Sequence, residues 1–494
     1  MTMKAVHSFR CTAFFIQSLI FFLGRRYVYE KTVKLDYSSG LWYRPMDDSD
    51  ARGFNTSILA FVCHFCCYYR RLYYQPLPIG GVSIVVITVA ALTGTLKIGE
   101  AISGFANSAI WLIVGAFLFS RGFIKTGLGK RIAYNLIAAF GSSSLRLAYA
   151  LALSDLILAP ATPSNTARVG GVIMPITTSL AKAFGSEPQD GPRKIGSFLM
   201  QSIYQVNTIT SAMFQTSMAG NTLVAALALQ SFGIGITWGD WAMAAIVPGI
   251  IALIIMPYFI YKVYPPEIKD AREAQQMIKE ELKGLGKMSF QEWVMLGVFV
   301  LALVLWATSQ FTKIDATTVA FLGISILLAT SVLVWDDVKS EKGAWDTLVW
   351  MGTLMGFAGF LSKLGFIKWA TVLVGAYIPE GSWIIAFVIA VLINTYSHYV
   401  FASLTAHISA MFVAFSAIAI SAGAPPMLTL LMIAFTSNLC MSLTHYAAGP
   451  SPVIFNTGYV PQNVWWKLGF FSSVINLIIF VGLGSIWMKA IGMW

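Results

Sequence analysis

The chain has little charge: only 11% of its 494 residues are Asp, Glu, Lys or Arg, whereas 57% are hydrophobic. Soluble domains carry about 25% charged residues, so this composition excludes an ordinary soluble protein and predicts one surrounded by membrane lipid. The net charge of +11 does not predict a nucleic-acid partner, because basic residues between membrane spans set their orientation.

Cysteines and catalytic motifs are also scarce. Five cysteines in a membrane chain predict no disulfide framework. The sequence contains no P-loop, catalytic triad or metal-ligand helix motif, which excludes the usual ATP-driven pump. Ser403 and His407 can be paired as nucleophile and base, but no third group accompanies them. We therefore predict no enzyme, no catalytic residue, no cofactor and no metal.

The first 75 residues differ from the rest and contain four of the five cysteines. Cys63-x-x-Cys66 with His64 lacks the second ligand pair that a zinc site needs. Read one base later, the codons for Cys63 to Arg71 encode an apolar helix. We interpret residues 1–75 as an atypical segment produced by a frameshift, with one or two native helices scrambled; a divergent soluble leader is the alternative. Resequencing the gene distinguishes the two.

Eight apolar runs approach or exceed the roughly 20 residues that a membrane-crossing helix needs. They predict an all-α, polytopic membrane protein. The runs are Leu77–Leu96, Ala106–Phe123, Trp238–Tyr261, Trp293–Gln310, Thr317–Trp335, Trp345–Leu364, Met427–Tyr446 and Trp466–Met488.

The remaining apolar segments predict two repeats of opposite orientation, residues 76–263 and 293–494, joined by a polar cytoplasmic linker at 264–292. Basic clusters at 121–131 and 182–194 place both ends of the intervening segment in the cytoplasm. Its two halves, Arg146–Pro160 and Val169–Leu180, look too short to cross, so we predict a re-entrant hairpin.

The second repeat has the same order of segments. We expect its re-entrant hairpin at Trp383–Tyr396 and Ala406–Ser421, after an amphipathic segment at Trp369–Ile378. Each repeat also contains a helix with a polar interruption, at Ser217–Asn221 and at Thr444–Pro452.

The two predicted hairpin tips resemble each other. Ser164-Asn165-Thr166-Ala167-Arg168 and Ser403-Leu404-Thr405-Ala406-His407 share Ser-x-Thr-Ala followed by a basic side chain. A Lys-x-Gly-x-x-Lys pattern precedes each tip, by 39 residues from 125 to 164 and by 40 from 363 to 403. Paired polar interruptions in two hydrophobic halves predict the binding site of a secondary transporter.

The candidate substrate-binding residues are those of the four interruptions. Helix ends and neutral hydroxyl or amide groups at the bilayer midplane bind small anions without a permanent buried charge. The alternative for any single Ser or Thr is a hydrogen bond that holds two helices together. The predicted set is Ser164, Asn165, Thr166, Arg168, Gly220, Asn221, Ser403, Thr405, His407, Thr444, Gly449 and Pro450.

Arg168 and His407 occupy equivalent positions, two residues after each tip threonine. Arg168 inside the membrane predicts pairing with an anionic substrate or replacement of a cotransported cation; a structural pair with Asp155 is the alternative. His407 titrates near neutrality and predicts pH-sensitive transport, although a merely hydrogen-bonded histidine fits as well.

From Gln75 onward the chain resembles the divalent anion:sodium symporter family. The Ser164-Asn165-Thr166 motif is intact, whereas Leu404 replaces the asparagine of the second copy. Phe401 to His407, Gln75-Pro76-Leu77-Pro78 and Ala448-Gly449-Pro450-Ser451-Pro452 look like the branch of citrate/succinate antiporters and plastid 2-oxoglutarate/malate translocators.

The resemblance implies an elevator-type transporter, usually a homodimer, that moves dicarboxylate or tricarboxylate anions such as citrate, succinate, malate, tartrate or 2-oxoglutarate. Because Leu404 removes an amide oxygen and Arg168 and His407 add positive charge, we expect anion exchange. Sodium-coupled dicarboxylate symport is the alternative, and an anion channel a further one. The apolar character predicts a multi-pass protein of a cell inner membrane.

Overall fold

The computed structural model describes residues 78–363 and 383–494. The interpretation of residues 1–75 and the amphipathic segment Trp369–Ile378 lie outside the described residues, as does nearly all of the second Lys-x-Gly-x-x-Lys pattern. The described chain is helical, and its β-structure is limited to one isolated antiparallel bridge between Ser143 and Asp270. The prediction of an all-α fold is confirmed.

The first repeat contains a hairpin and a broken helix. We call residues 144–183 the first hairpin and residues 196–232 the first broken helix. The helices are Ile79–Leu92, Ser108–Thr126, Leu128–Phe140, Ser144–Leu158, Asn165–Arg168, Met174–Ala183, Gly196–Met213, Ala219–Phe232 and Trp238–Val263. A π-helical segment, Val169–Ile173, makes Asn165–Ala183 continuous.

The second repeat follows the same order. We call residues 383–421 the second hairpin and residues 426–455 the second broken helix. After the linker helix Arg272–Gly284, the helices are Phe290–Ala307, Ala316–Ala329, Lys342–Lys363, Trp383–Ser397, Leu404–Ser421, Pro426–Leu439, Pro450–Phe455, Gln462–Leu477 and Ser485–Ala490.

Eight described helical stretches are long and apolar enough to cross a membrane, but they are not the eight that the sequence predicted. Ile79–Leu92 and Ala316–Ala329 have only 14 residues each, shorter than the roughly 20 needed for a full crossing. Gly94 and Ser331, both with positive φ, lie in the turns that follow these helices. A residue in the left-handed conformation ends an α-helix. Each helix is therefore shorter than the apolar run in which it lies.

The hairpin arms are longer than predicted. Ser144–Ala161, Trp383–Val400 and Leu404–Ser421 each span 18 residues. The expectation that Arg146–Pro160 is too short to cross is therefore wrong on length, because the helix begins earlier and a 3-10 turn extends it.

Both ends of the first hairpin meet the linker. The Ser144 amide donates to the Lys269 carbonyl at 3.0 Å. Beyond the second arm, the carbonyls of Arg193 and Lys194 accept from Glu267 and Ile268 at 3.1 and 2.9 Å. The chain between them thus leaves the linker at one arm and returns to it after the other.

The second hairpin opens at the opposite end. A Cβ on Gly423 would lie 3.9 Å from Trp383 Cβ, and the ring of Trp383 lies 6.0 Å from that of Trp494. Nearby, Trp487 donates to the carbonyl of Met243 at 2.7 Å. Met243 lies near the start of Trp238–Val263, whereas the linker follows its end. Those 26 residues span about 39 Å, so the open ends of the two hairpins lie near opposite ends of this helix.

The core lies around the first halves of the broken helices. Every residue of Gly196–Met213 is buried, although it contains glutamines, asparagine, serines and threonines. It packs against both arms of the first hairpin, Trp238–Val263 and Pro426–Leu439. A helix buried all round, with polar side chains, belongs inside protein rather than facing lipid.

Candidate functional site

The four chain interruptions converge at the centre. The Ala219 amide donates to the Pro163 carbonyl at 3.0 Å and so joins the first tip to the first broken helix. Asn165 Nδ2 lies 3.5 Å from Met441 Sδ in the second broken helix. His398 Nε2 lies 2.8 Å from the Ala447 carbonyl oxygen. The structure therefore brings together interruptions that are up to about 280 residues apart in sequence. Two repeats of opposite orientation predict such an arrangement.

The first broken helix also touches the second hairpin. A Cβ added to Gly220 would lie 2.6 Å from Ile408 Cδ1, so only glycine allows this approach without displacement. Asn221 Oδ1 accepts from Asn438 Nδ2 at 2.7 Å, which ties the two broken helices together. The same Asn221 amide donates to the carbonyls of Ser211 and Phe214. Gly220 and Asn221 therefore hold the interruptions in contact.

The tip serines are helix caps. Ser164 Oγ accepts from the Ala167 amide at 3.1 Å, and Ser403 Oγ accepts from the Ala406 amide at 3.3 Å. This is the N-cap role for which serine is favoured. A hydroxyl that accepts a capping bond still has its own O–H to donate, and both serines are partly exposed.

Three long helices begin at the site: the one starting at Asn165, Ala219–Phe232 and Leu404–Ser421. Each helix N-terminus presents unpaired amide donors and about half a positive elementary charge. Their convergence favours an anion at the centre without any free cationic side chain.

Two tip threonines have hydroxyls available for a ligand. Thr166 and Thr405 are partly exposed, and in the described chain neither hydroxyl has a hydrogen-bond partner. Thr166 faces exposed backbone at Gly449, where an added Cβ would lie 2.2 Å from its Oγ1. Pro450 begins the helix after Gly449. Thr444 Oγ1 is fully buried and has no hydrogen-bond partner among the residues that the structure describes.

Arg168 is not available to a ligand in this conformation. Its Nε pairs with Asp155 at 2.9 Å. The other four N–H groups point to the carbonyls of Thr162 and Ser217 and the hydroxyls of Thr210 and Ser211. Arg168 is 1% exposed. The structural pair with Asp155, which the sequence left open, is what the structure contains.

Asp155 completes this network. It also accepts from Asn207 Nδ2 at 3.2 Å and from the Thr210 hydroxyl. Arg168 and Asp155 thus form a compensated buried ion pair, and Arg168 joins the first tip to the interruption of the first broken helix. The expected positive charge at residue 168 is present but neutralised.

His407 lies behind the second tip and is fully buried. Its Nε2 is 3.1 Å from Ser397 Oγ in the first arm of the same hairpin. It therefore does not line the partly exposed surface formed by Ser164, Thr166, Ser403, Thr405 and Gly449.

Two further residues of the site were missed from sequence. Tyr204 is fully buried, and its hydroxyl bonds the Met441 carbonyl and lies 2.7 Å from Ser451 Oγ. Asn438 pairs with Asn221. The signal for Asn438 is Thr436-Ser437-Asn438, a polar patch inside the apolar run that begins at Met427. The sequence around Tyr204 contains no comparable signal, because its hydrogen-bond partners lie more than 230 residues away.

A helical membrane protein with paired hairpins and broken helices meeting at its centre has the architecture of a secondary transporter. Residues 62–494 match the family described as "Sodium:sulfate symporter transmembrane region". The chain belongs to this family, which confirms the family that the motifs indicated. The prediction of a transporter rather than an enzyme is likewise confirmed.

Several relatives match along most of their length. "Putative malate transporter YflS" of Bacillus subtilis is 51% identical, over 85% of this chain and 88% of that protein. "Dicarboxylate transporter 1, chloroplastic" of Spinacia oleracea is 46% identical, over 85% and 74%. "Inner membrane protein YbhI" of Escherichia coli is 41% identical, over 81% and 84%. With the apolar helices, the bacterial relatives confirm the predicted multi-pass inner-membrane location.

Proposed function

We propose that the protein exchanges dicarboxylate or tricarboxylate anions across the membrane. The observation that carries the proposal is the convergence of three helix N-termini with the partly exposed hydroxyls of Ser164, Thr166, Ser403 and Thr405. A carboxylate accepts several hydrogen bonds and carries the charge that helix N-termini favour. The names of the relatives, "malate transporter" and "dicarboxylate transporter", support this substrate class.

Anion exchange depends on the charge of the empty site. An exchanger needs an empty site that is costly to move. Arg168 does not supply that cost, because Asp155 neutralises it. The converging helix N-termini supply it instead, since their positive potential has no counter-ion when substrate is absent. Leu404, which is buried at the second tip, lacks the amide oxygen with which asparagine would bind sodium.

Packing supports an elevator-type movement. Ile79–Leu92, Ser108–Thr126, Ala316–Ala329 and Lys342–Lys363 form one packed group. The hairpins pack with the first halves of the broken helices, and Ala219–Phe232 lies between the two groups, against Ser108–Thr126 and Lys342–Lys363 on one side and the second hairpin on the other. In this proposal the second group carries the anion past the first, which holds the membrane position and forms a homodimer.

Sodium-coupled symport is the second candidate, and the family description favours it. The Oδ1 atoms of Asn394 and Asn438 and the Oγ1 of Thr444 are buried without a hydrogen-bond partner. Neutral oxygens of this kind are the ligands that hard cations prefer.

Proteoliposomes containing the purified protein test the proposal. Uptake of labelled succinate should be several-fold faster into vesicles preloaded with malate than into empty ones, with or without a sodium gradient. Equal uptake into empty vesicles that depends on sodium would establish symport instead, and flux that does not saturate would indicate a channel.

Two matched substitutions test the site itself. Thr166→Val should reduce exchange, because it removes a hydroxyl at the proposed site. Thr177→Val is the control, since Thr177 lies in the same arm and its hydroxyl bonds only the Ile173 carbonyl. An equal loss in both variants would contradict the proposed binding surface.

A further inference from the structure

Three metal-ligating side chains meet behind the second tip. One ligand atom each from His398, His407 and Cys440 lies within 4.8 Å of the others. All three residues are fully buried. His398 and His407 belong to the second hairpin, whereas Cys440 lies where the second broken helix is interrupted. Sequence spacing alone does not indicate this cluster, because the cysteine comes from a different element.

The His398 ring has a nitrogen with no partner. Its Nε2 lies 2.8 Å from the Ala447 carbonyl oxygen. A carbonyl only accepts hydrogen bonds, so Nε2 carries the proton and Nδ1 of the neutral ring has a bare lone pair. That Nδ1 is buried and makes no hydrogen bond within residues 78–363 and 383–494. A histidine held through one nitrogen by a carbonyl, with the other free, is the usual arrangement of a metal ligand.

His407 repeats this arrangement. Its Nε2 is held by Ser397 Oγ at 3.1 Å, and its Nδ1 is buried without a partner. The ring centroids of His398 and His407 lie 4.7 Å apart, and Phe401 packs against both. Buried polar atoms without partners are costly. Two buried nitrogens to which the described chain offers no hydrogen bond therefore require another explanation.

We propose that His398, His407 and Cys440 form a binding site for a borderline-soft divalent cation of the zinc type, and that its occupancy stops transport. Imidazole nitrogen and thiolate sulfur are both zinc ligands, and three protein ligands leave a fourth position open to water or a carboxylate. Binding requires the ligand atoms to approach by about 1 Å, and the Cys440 thiol releases its proton to solvent.

Inhibition follows from which elements the ion would join. The second hairpin and the second broken helix both contribute to the proposed anion site. A bound ion cross-links them and fixes their spacing, and in this proposal that constraint blocks loading and release of substrate at the tip. The ion must also enter a fully buried site, so we expect inhibition to develop slowly and to be reversed by a chelator.

Cadmium is the probe, because its bond to a thiolate gives an ultraviolet charge-transfer band. The other cysteines are replaced by serine (C11S, C63S, C66S and C67S), which leaves Cys440 as the one thiol. We expect one equivalent of Cd²⁺ to produce the thiolate band and to abolish succinate exchange. If the band does not form in this folded, active protein, the proposal is wrong.

Further substitutions assign the ligands. Cys440→Ser in the same background should remove the band, and His398→Gln should lower Cd²⁺ affinity about tenfold or more. His445→Gln is the matched control, since His445 Nδ1 already accepts from Trp466 Nε1 at 3.0 Å. Inhibition is compared with each variant's own metal-free rate. Equal Cd²⁺ sensitivity of the C440S and H398Q proteins and their parent would overturn the assignment.

Discussion

The two hairpin tips have the same backbone capping but differ in how they use the basic residue that follows. Ser164 and Ser403 each cap the helix that begins at the next residue. All the N–H donors of Arg168 bond to protein acceptors, and its Nε pairs with Asp155. His407 has one hydrogen bond and one unpartnered nitrogen. The first tip is therefore a rigid, charge-compensated unit, whereas the second retains a buried histidine nitrogen that can still bind a ligand.

This difference shows that a repeated motif does not carry one function. The shared part, Ser-x-Thr-Ala, positions a helix N-terminus and a hydroxyl at the centre. The role of the residue two places after the threonine depends on its neighbours. Asp155 is present in the first hairpin, whereas the described second hairpin contains no acidic residue.

Arg168→Gln should destabilise the protein most. Removing one partner of a buried ion pair leaves the other charge uncompensated and costs about 3–5 kcal/mol. His407→Gln, at the equivalent position, should cost only about 1 kcal/mol, because one hydrogen bond is lost. Thermal unfolding in detergent measures both. Similar melting temperatures for the two variants would contradict the proposed rigidity of the first tip.

Asp155→Asn combined with Arg168→Gln should recover part of that loss. The double variant buries no unpaired charge, so its free energy of unfolding should exceed that of R168Q alone by about 1–3 kcal/mol. Its exchange activity should recover in parallel if Arg168 only positions the tip. A double variant that regains stability but transports no succinate would show that Arg168 acts directly on substrate.

Thr166→Val and Thr405→Val should weaken substrate binding to a similar extent. Each removes one hydrogen bond to a charged ligand, worth about 1.5–3 kcal/mol, which corresponds to a roughly tenfold or greater rise in KM for succinate exchange. Kinetics in proteoliposomes measure it. If only one threonine matters, the two tips do not contribute symmetrically to the site.

Ser164→Ala and Ser403→Ala should have the smallest effect on stability. Loss of an N-cap costs about 1 kcal/mol, and replacement by glycine costs only a few tenths. Calorimetry on the alanine and glycine variants of both sites compares the two caps. A glycine variant as unstable as the alanine variant would mean that the serine does more than cap its helix.

Several features could be predicted from sequence because they depend on neighbouring residues. The Ser-x-Thr-Ala spacing located both tips, and the polar stretches at Ser217–Asn221 and Thr444–Pro452 located both interruptions within a few residues. The lengths of Ile79–Leu92 and Ala316–Ala329 were overestimated, because hydrophobic runs continue through the turns that end these helices.

Contacts between distant elements could not be predicted in the same way. Asp155 was recognised as a partner for Arg168, but the carbonyls of Thr162 and Ser217 that use up its remaining donors have no sequence signature. Asn438 and Tyr204 were missed for the same reason. Backbone carbonyls occur at every position, and only the path of the chain determines which of them meet a buried guanidinium or phenol.

Hydrophobicity and helix capping are local properties, and they suffice to predict a helical membrane protein of two similar halves. That Arg168 holds the first tip together instead of facing a ligand, and that His398, His407 and Cys440 meet, follows from the packing of distant segments. Those outcomes depend on which side chains exclude water around one another, and that is established only when the hairpins and broken helices pack together.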